Sequence, residues 1–180
     1  MKHTSFILAD LELAYITCDD LPALIEILKK ETVCQYLSFG PSSERQTRDY
    51  FEPFIEDITL SLAKDEKPTS HVFIIHRKNT RIGYSTLLPV AFSKGHYTLG
   101  YILDEPFWRQ GIASAVCRFL VDFGLSTLAA YRISADCMGG NISSRRILEK
   151  NGFILEGCQK NYWHKNGTFQ DSLLFGLLRR

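Results

Sequence analysis

The spacing of apolar residues along the chain separates helical segments from strands. Apolar residues recur every three or four positions in an amphipathic helix and every second position in a half-buried strand. The helical pattern is found after residue 20, over 44–63, over about 112–126 and between Asn141 and Asn151. The strand pattern is found over 6–17, where it predicts one strand or a bent pair, and over 71–77, 81–91, 96–104, 132–138, 153–163 and 169–178. The predicted order is β-α-α-β-β-β-α-β-α-β-β, a mixed sheet with helices on its faces, which is an α/β (α+β) arrangement in the broad sense.

Capping and turn residues mark the ends of several predicted elements. Asp19 or Asp20 can cap the first helix, and Asn141 can cap the last one. Asn151-Gly152 suits a left-handed helix end, and Asn166-Gly167 predicts a tight hairpin between the last two strands.

The length and composition fit a single globular domain. The 180 residues are 45% apolar and 23% charged, and no linker or repeat divides them, so we expect one domain, 1–180. The formal net charge of +1 argues against a dedicated nucleic-acid binder, and we expect no direct nucleic-acid partner. No apolar run reaches the roughly 18–20 residues of a membrane helix, and the first residues lack the apolar core of a signal peptide. We therefore expect a cytoplasmic protein with no membrane partner.

The cysteines do not form a metal-binding or disulfide pattern. All five are widely spaced, and no pair has the two-residue separation of a zinc or redox motif. Cys117 and Cys137 lie within apolar runs, where a cysteine behaves as a small core residue. We therefore expect no metal site and no disulfide framework.

A glycine-centred turn, Trp108–Ala113, lies between an alternating aromatic strand and a long amphipathic run. A strand that feeds such a turn and opens a helix directs several backbone N–H groups, and the positive end of the helix dipole, to one point. Gly111 allows a phosphate close to the backbone, and Ala113 keeps the next turn small. The turn lacks both the Gly-Lys-Ser/Thr of a Walker loop and the three glycines of a Rossmann fingerprint. It is either a phosphate or pyrophosphate site or an ordinary strand-to-helix turn.

Four segments of the carboxy-terminal half give the chain a resemblance to a known family. They are Gly100-Tyr-Ile-Leu-Asp-Glu-Pro-Phe-Trp-Arg-Gln-Gly-Ile-Ala, Asn141-x-x-Ser144, Glu149-Lys-Asn-Gly-Phe-Ile-Leu-Glu-Gly-Cys158, and Asn166-Gly followed by Asp171. With the element order, they resemble the GNAT acyl-CoA N-acyltransferase superfamily, and more narrowly its RimJ/RimL-type ribosomal-protein N-acetyltransferase group. The amino-terminal half agrees only in the order of its elements.

The resemblance implies an acetyl-CoA site in this half of the chain. It implies that backbone N–H groups of the glycine-centred turn bind the coenzyme A pyrophosphate, and that the end of the preceding strand lies beside the pantetheine arm. Such an arm can pair with a strand edge as an added strand would. The coenzyme-binding residues implied are Ile102, Leu103, Asp104, Arg109, Gln110, Gly111, Ile112, Ala113, Ser114, Asn141 and Ser144.

Ser144 is the candidate acid for the implied reaction, in which an amine attacks the thioester of acetyl-CoA. Its spacing from Ile147 and Leu148 places its hydroxyl on the inward side of a short helix. There it can donate a hydrogen bond to the coenzyme's sulfur, the role that the resemblance also implies. Alternatively, a serine in a first helical turn only supports the cap at Asn141.

Two positions at which related enzymes carry a glutamate hold other residues here. When the chain is compared with the family that it resembles, Thr98 lies near the position of a glutamate found in some GNAT enzymes. Trp163 is at the position of the catalytic glutamate of RimL-type enzymes. Glu156 alternates away from the apolar residues of its strand, so it points either toward the cleft or toward solvent. We take Glu156 as the candidate catalytic carboxylate, and a water chain to solvent as the alternative.

The function implied is transfer of an acetyl group from acetyl-CoA to a primary amine by direct attack in a ternary complex. The resemblance favours a protein N-terminal amine as the acceptor. Two alternatives keep the same fold: an acetyltransferase for a small amine such as a polyamine, amino acid or aminoglycoside, and a non-catalytic acyl-CoA-binding regulator. We also predict a homodimer, because Tyr162, Trp163 and Phe169 near the last hairpin offer aromatic surface to a partner.

Overall fold

An eight-stranded sheet forms the frame of the protein in the computed structural model, which describes residues 5–179. Its order is β1-β2-β3-β4-β5-β6-β8-β7. The strands are Ser5–Leu8 (β1), Leu11–Tyr15 (β2), His71–Arg77 (β3), Thr80–Pro89 (β4), His96–Leu103 (β5), Arg132–Met138 (β6), Ile154–Lys165 (β7) and Thr168–Leu178 (β8). The helices are Leu21–Leu28 (α1), Glu31–Cys34 (α2), Glu44–Ala63 (α3), Ile112–Asp122 (α4) and Ile142–Lys150 (α5). The expectation of no signal peptide rests partly on residues 1–4, which lie outside the described residues.

The mixed α/β sheet predicted from the apolar spacing is confirmed, with local differences. The opening segment is a bent pair, the hairpin β1–β2. The helix predicted over about 112–126 continues past α4 as a π-helical turn, Phe123–Thr127. The prediction missed α2, because four residues are too few to show a helical period.

Asp20 was one of two candidates for the cap of α1. It occupies the N-cap position, but its carboxylate makes no capping hydrogen bond to that helix. It accepts hydrogen bonds from the Thr17 backbone N–H at 2.8 Å and the Thr17 hydroxyl at 2.9 Å. It also accepts one from Arg81 Nε at 2.5 Å. Asp20 therefore fixes the turn before α1 to β4.

Helices cover both faces of the sheet. On one face, Phe51 of α3 packs edge-on against Tyr84 of β4, with ring centroids 4.9 Å apart. On the other face, Phe119 of α4 packs against Phe73 of β3 at 5.6 Å. Because successive side chains of a strand point to opposite faces, the even-numbered residues 84–88 of β4 and 98–102 of β5 face α3.

The two parallel strands of the sheet, β5 and β6, separate after a short contact. They pair only over His96–Thr98 and Arg132–Ser134. Beyond that contact, β5 remains paired with β4 and β6 with β8 on their outer edges. A gap, the β5–β6 wedge, therefore opens between Leu99–Leu103 and Ala135–Met138. Its two facing edges have unpaired backbone groups that a ligand can reach.

The described part of the chain has no membrane-spanning helix and no cluster of metal-binding side chains. None of the helices within residues 5–179 combines the length and the apolar character needed to cross a bilayer. The same residues contain no group of three or more His, Cys, Asp or Glu side chains placed to hold a metal ion. All five cysteines are free thiols.

Candidate active site

A cavity of about 300 Å³ fills the β5–β6 wedge. Its walls come from β4, β5, β6 and α5, and from the segment that follows α2. Five aromatic side chains line the α3 side of this space. Tyr84 comes from β4. The other four lie where α3, the post-α2 segment and β7 approach each other, and they are Tyr36, Phe39, Tyr50 and Trp163. The cavity is therefore open to both strand edges and has an aromatic side.

The first turn of α4 provides a set of free backbone donors. Gly111 precedes the helix with φ +78°, a left-handed conformation that glycine adopts without strain. No acceptor among residues 5–179 receives the backbone N–H groups of Gly111–Ser114, although Ala115 N–H donates to the Gly111 carbonyl at 3.1 Å. A Cβ added at Gly111 would meet no atom of residues 5–179 within 4 Å, so these residues leave the space before this helix end open. These groups fit a phosphate or pyrophosphate.

Side chains hold this turn in place. The Trp108 indole N–H donates to the Leu103 carbonyl at 2.8 Å, and Gln110 Nε2 donates to the Pro106 carbonyl at 2.8 Å. Arg77 donates to Gln110 Oε1 at 2.5 Å. The Gln110 side chain therefore supports the turn, which leaves its backbone for a ligand. The exposed Arg109 has no ion-pair partner among the described residues and adds a free cation beside the turn.

Of the three residues at the end of β5 that were predicted beside the pantetheine arm, one lines the cavity. Ile102 contributes to the cavity wall. Leu103 is buried, and its carbonyl accepts the Trp108 indole N–H. The Asp104 carboxylate pairs with Lys30 at 2.6 and 2.8 Å and accepts the Glu105 backbone N–H at 2.9 Å. The side chain of Asp104 is therefore committed to holding β5 against the segment after α1.

The first turn of α5 brings Asn141 and Ser144 to the cavity. The Asn141 side chain caps the helix by accepting the Ser144 backbone N–H at 3.0 Å. The Ser144 Oγ lies 3.1 Å from the hydroxyl of Tyr101, an odd-numbered residue of β5 on the face opposite α3. Burial raises the pKa of Tyr101 well above its ordinary value, so this hydroxyl stays protonated and can donate to Ser144. Either hydroxyl can be the donor of this pair, and with Tyr101 donating the Ser144 proton is free to point into the cavity.

Glu156, the predicted catalytic carboxylate, does not line the cavity. It forms an ion pair with both terminal nitrogens of Arg132 across β8. Its carboxylate lies over Gly176, where an added Cβ would overlap it. The Arg132 guanidinium holds the pKa of Glu156 below its usual range, which makes it a weaker base. This expectation is therefore corrected: Glu156 ties β6 to β7.

Asp136 of β6 is a cavity carboxylate that the sequence analysis did not single out. It is the one acidic side chain among the cavity-lining residues within 5–179. The strand containing it was predicted correctly, but nothing in the sequence indicated that β6 would leave its neighbour at this point. The signal available was a polar residue at an alternate strand position, which usually marks a solvent-exposed face.

The family of the chain is settled by comparison with known proteins. Residues 10–154 match the acetyltransferase (GNAT) domain model. The chain belongs to this family. Membership confirms the resemblance found in the sequence, and makes the protein an acetyl-CoA-dependent N-acetyltransferase.

Related GNAT sequences include proteins of known and unknown acceptor. The uncharacterized N-acetyltransferase YoaA of Bacillus subtilis is 28% identical over 169 residues, covering 93% of this chain and 92% of its own. The ribosomal-protein-serine acetyltransferase of Escherichia coli is 29% identical over 104 residues, covering 58% of each chain.

Solved structures of GNAT proteins share the fold. RimL, the ribosomal L7/L12 α-N-protein acetyltransferase in complex with coenzyme A, superposes with a TM-score of 0.81 at 24% identity, covering 97% of each chain. The spermidine N-acetyltransferase of Vibrio cholerae, in complex with coenzyme A and spermine, has a TM-score of 0.81 at 17% identity, covering 94% of this chain and 96% of its own. The same architecture thus occurs in proteins with very different acceptors.

Proposed function

We propose that this GNAT protein acetylates the N-terminal amine of a protein or peptide, by direct attack in a ternary complex bound across the β5–β6 wedge. The observation that carries the proposal is the position of the cavity. It joins the face that presents Ser144 to the aromatic face beneath α3. A donor on one face and an acceptor on the other would meet in the gap between the strands.

The residues around the wedge fit coenzyme A on the α4 side. The N–H groups of Gly111–Ser114, with the Arg109 side chain, would hold the pyrophosphate. The free edge of β5 after Thr98 would pair with the pantetheine amides. Bound acetyl-CoA supplies the thioester carbonyl that the amine attacks.

Ser144 would act as the acid for the departing sulfur. With Tyr101 as the donor in the Tyr101–Ser144 pair, the Ser144 proton would be directed toward the cavity. A hydroxyl that both receives and donates a hydrogen bond is polarised toward donation. The strength of its bond to sulfur increases as negative charge develops there, which favours the transition state over the bound substrate.

The acceptor is inferred from the RimL and ribosomal-protein-serine relatives and from the charge of the cavity. A protein N-terminus brings one positive charge, whereas a polyamine brings several. One carboxylate lies among the cavity-lining residues of the described chain, so a singly charged acceptor is better matched. The spermidine acetyltransferase neighbour keeps a small amine as the second candidate.

The test is acetyl transfer to a defined panel, read by mass spectrometry. The panel contains peptides with a free N-terminus and an internal lysine, the same peptides with a formylated N-terminus, and spermidine. We expect the acetyl group on the α-amine of the free peptides and none on the formylated ones. Preferential acetylation of spermidine would support the small-amine alternative. Coenzyme A binding without acetylation of any amine would support the regulator.

A further inference from the structure

The position of Asp136 on β6 places its carboxylate on the acceptor side of the wedge. Its neighbours Ala135 and Cys137 are buried. Ile133, on their side of the strand, faces Gly124 in the π-helical turn that follows α4, so Asp136 projects toward the α3 side. Tyr36, Phe39, Tyr50 and Trp163 of the cavity lie on that same side. Asp136 and Ser144 therefore reach the cavity from opposite faces of the sheet.

The Asp136 carboxylate has no partner among the residues that the structure describes. Within residues 5–179 it makes neither an ion pair nor a hydrogen bond, whereas Asp104, Glu156 and Asp171 each have a basic partner. The side chain is reached by solvent through the cavity mouth, yet the surrounding protein raises its pKa above the usual range. The ionised Asp136 carboxylate has lost part of its hydration here, so binding of a cation next to it is favourable.

Among residues 5–179, no other charged side chain lines the cavity. Lys165 of β7 approaches from the outside, but its ammonium is taken by the carbonyls of Cys34, Leu37 and Phe39. Burial raises the pKa of Cys137 to about 11, so its thiol stays neutral. The remaining titratable side chains of the cavity are Tyr36, Tyr50, Tyr84 and Tyr101. A positive charge in this space would therefore have to come from the ligand.

We propose that Asp136 binds the ammonium group of the acceptor and takes its proton, so that it is the general base of this enzyme. The assignment rests on the proposed acetyl transfer and names the residue that supplies the base in place of Glu156. The acceptor class that fits is a primary amine with one positive charge and an apolar group beside it. The carboxylate would hold the charge, and Tyr36, Phe39, Tyr50 and Trp163 would contact the apolar group and the cation.

The proton balance fits one base and one acid. The ammonium nitrogen gives one proton to the Asp136 carboxylate and becomes a neutral nucleophile. Its bond to the acetyl carbon forms, the carbon–sulfur bond breaks, and the nitrogen loses a second proton. Ser144 supplies one proton to the sulfur and is replenished with the second proton from nitrogen. Asp136 then releases its proton to solvent through the cavity mouth.

The test compares Asp136→Asn with Asp122→Asn, the same substitution at an exposed position of α4 outside the cavity. The first readout is kcat/KM for a peptide with a free N-terminus, measured across pH with saturating acetyl-CoA. We expect Asp136→Asn to lower kcat/KM by about 10²-fold or more at neutral pH, with coenzyme A affinity and melting temperature unchanged. The loss should shrink as pH rises toward about 8, where an N-terminal amine becomes neutral without a base. Asp122→Asn should match the wild type throughout.

The second readout does not need turnover. Calorimetry measures binding of phenethylamine, a singly charged aromatic amine, to the complex with coenzyme A. We expect Asp136→Asn to weaken this binding at least about tenfold and Asp122→Asn to leave it unchanged. If peptides are acetylated while Asp136→Asn retains wild-type kcat/KM and affinity, the assignment is overturned and acetyl transfer stands. If the wild type acetylates no amine, the proposed function fails, and equal phenethylamine affinity in wild type and Asp136→Asn would overturn the ammonium site as well.

Discussion

Ser144 shows how far a single residue could be predicted. Its spacing from the apolar residues of α5 placed its hydroxyl on the inward side, and the structure brings it to the cavity. The partner that orients it, Tyr101, lies 43 positions earlier on another element. Local spacing contains no information about such a contact, because it depends on how β5 and α5 pack.

Substituting Ser144 separates a role in the reaction from a role in the helix. If Ser144 Oγ stabilises the departing sulfur, Ser144→Ala should lower kcat by about 10²-fold or more and leave acetyl-CoA affinity nearly unchanged. Ser143→Ala is the matched control, since it makes the same change in the same helical turn at an exposed position. Steady-state kinetics, calorimetry and melting temperature are measured on both variants. A folded Ser144→Ala protein with wild-type kcat would show that the proton comes from water or another group.

Asp136 of β6 and Glu156 of β7 show the limit of what the alternation of polar and apolar residues in a strand can predict. Glu156 and Asp136 both occupy polar positions of strands, and the pattern assigns each to a face without saying what that face meets. Glu156 is held outside the cavity in an ion pair with Arg132, which lies 24 residues away in sequence. Asp136 becomes a candidate because the wedge opens beside it.

His71 makes stability depend on pH. It is 2% exposed, and its Nδ1 lies 2.7 Å from the Tyr15 hydroxyl. Burial lowers its pKa to about 4, below the roughly 6.5 of an unfolded chain. Between these values the unfolded chain binds a proton that the native protein does not, so the stabilisation is complete above pH 6.5 and is lost as pH falls toward 4. The loss is about 1.4 kcal/mol for each pH unit within that window.

Urea unfolding between pH 7 and pH 4 measures this contribution. His71→Gln keeps an acceptor for Tyr15 and removes the titrating group, so its free energy of unfolding should decrease less over this range than that of the wild type. His76→Gln, on the same strand, should behave as the wild type. Identical pH dependence in His71→Gln and wild type would show that other groups account for the loss.

At the scale of elements, the extents of helices and strands were largely predictable and their arrangement was not. The bounds of α3, β3 and β6 agree with the apolar spacing. α3 has its buried residues on one side, whereas β3 is buried on both faces over His71–Ile75. The placement of β8 between β6 and β7 depends on long-range pairing. So does the separation of β5 from β6, and that separation creates the site.

The glycine before α4 allows a test of the phosphate turn with an internal control. Gly111 and Gly167 have φ of +78° and +72°, and a Cβ added at either would meet no atom within 4 Å. Valine imposes the same kind of backbone strain at both positions, but only the first lies at the proposed pyrophosphate site. We expect Gly111→Val to weaken coenzyme A binding at least about tenfold, and Gly167→Val to retain it.

Calorimetry and the increase in melting temperature on adding coenzyme A report this effect. Normal binding by Gly111→Val would mean that the pyrophosphate lies elsewhere.

For the molecule as a whole, the predicted homodimer remains to be tested. Tyr162 is 54% exposed and Phe169 63% exposed on the β7–β8 hairpin, whereas Trp163 lines the cavity. We expect the wild type to be a dimer at micromolar concentration by light scattering, and Tyr162→Ser with Phe169→Ser to be a monomer. Leu60→Ser, at an exposed position of α3, should leave the dimer intact. A monomeric wild type would contradict this prediction.

We infer that the donor and the acceptor meet in the β5–β6 wedge. A crystal structure of the protein with coenzyme A tests it most directly. We predict the pyrophosphate on the N–H groups of Gly111–Ser114, the pantetheine arm along the free edge of β5, and the sulfur within hydrogen-bonding distance of Ser144 Oγ. Coenzyme A bound outside the wedge, or with its sulfur away from Ser144, would contradict the account.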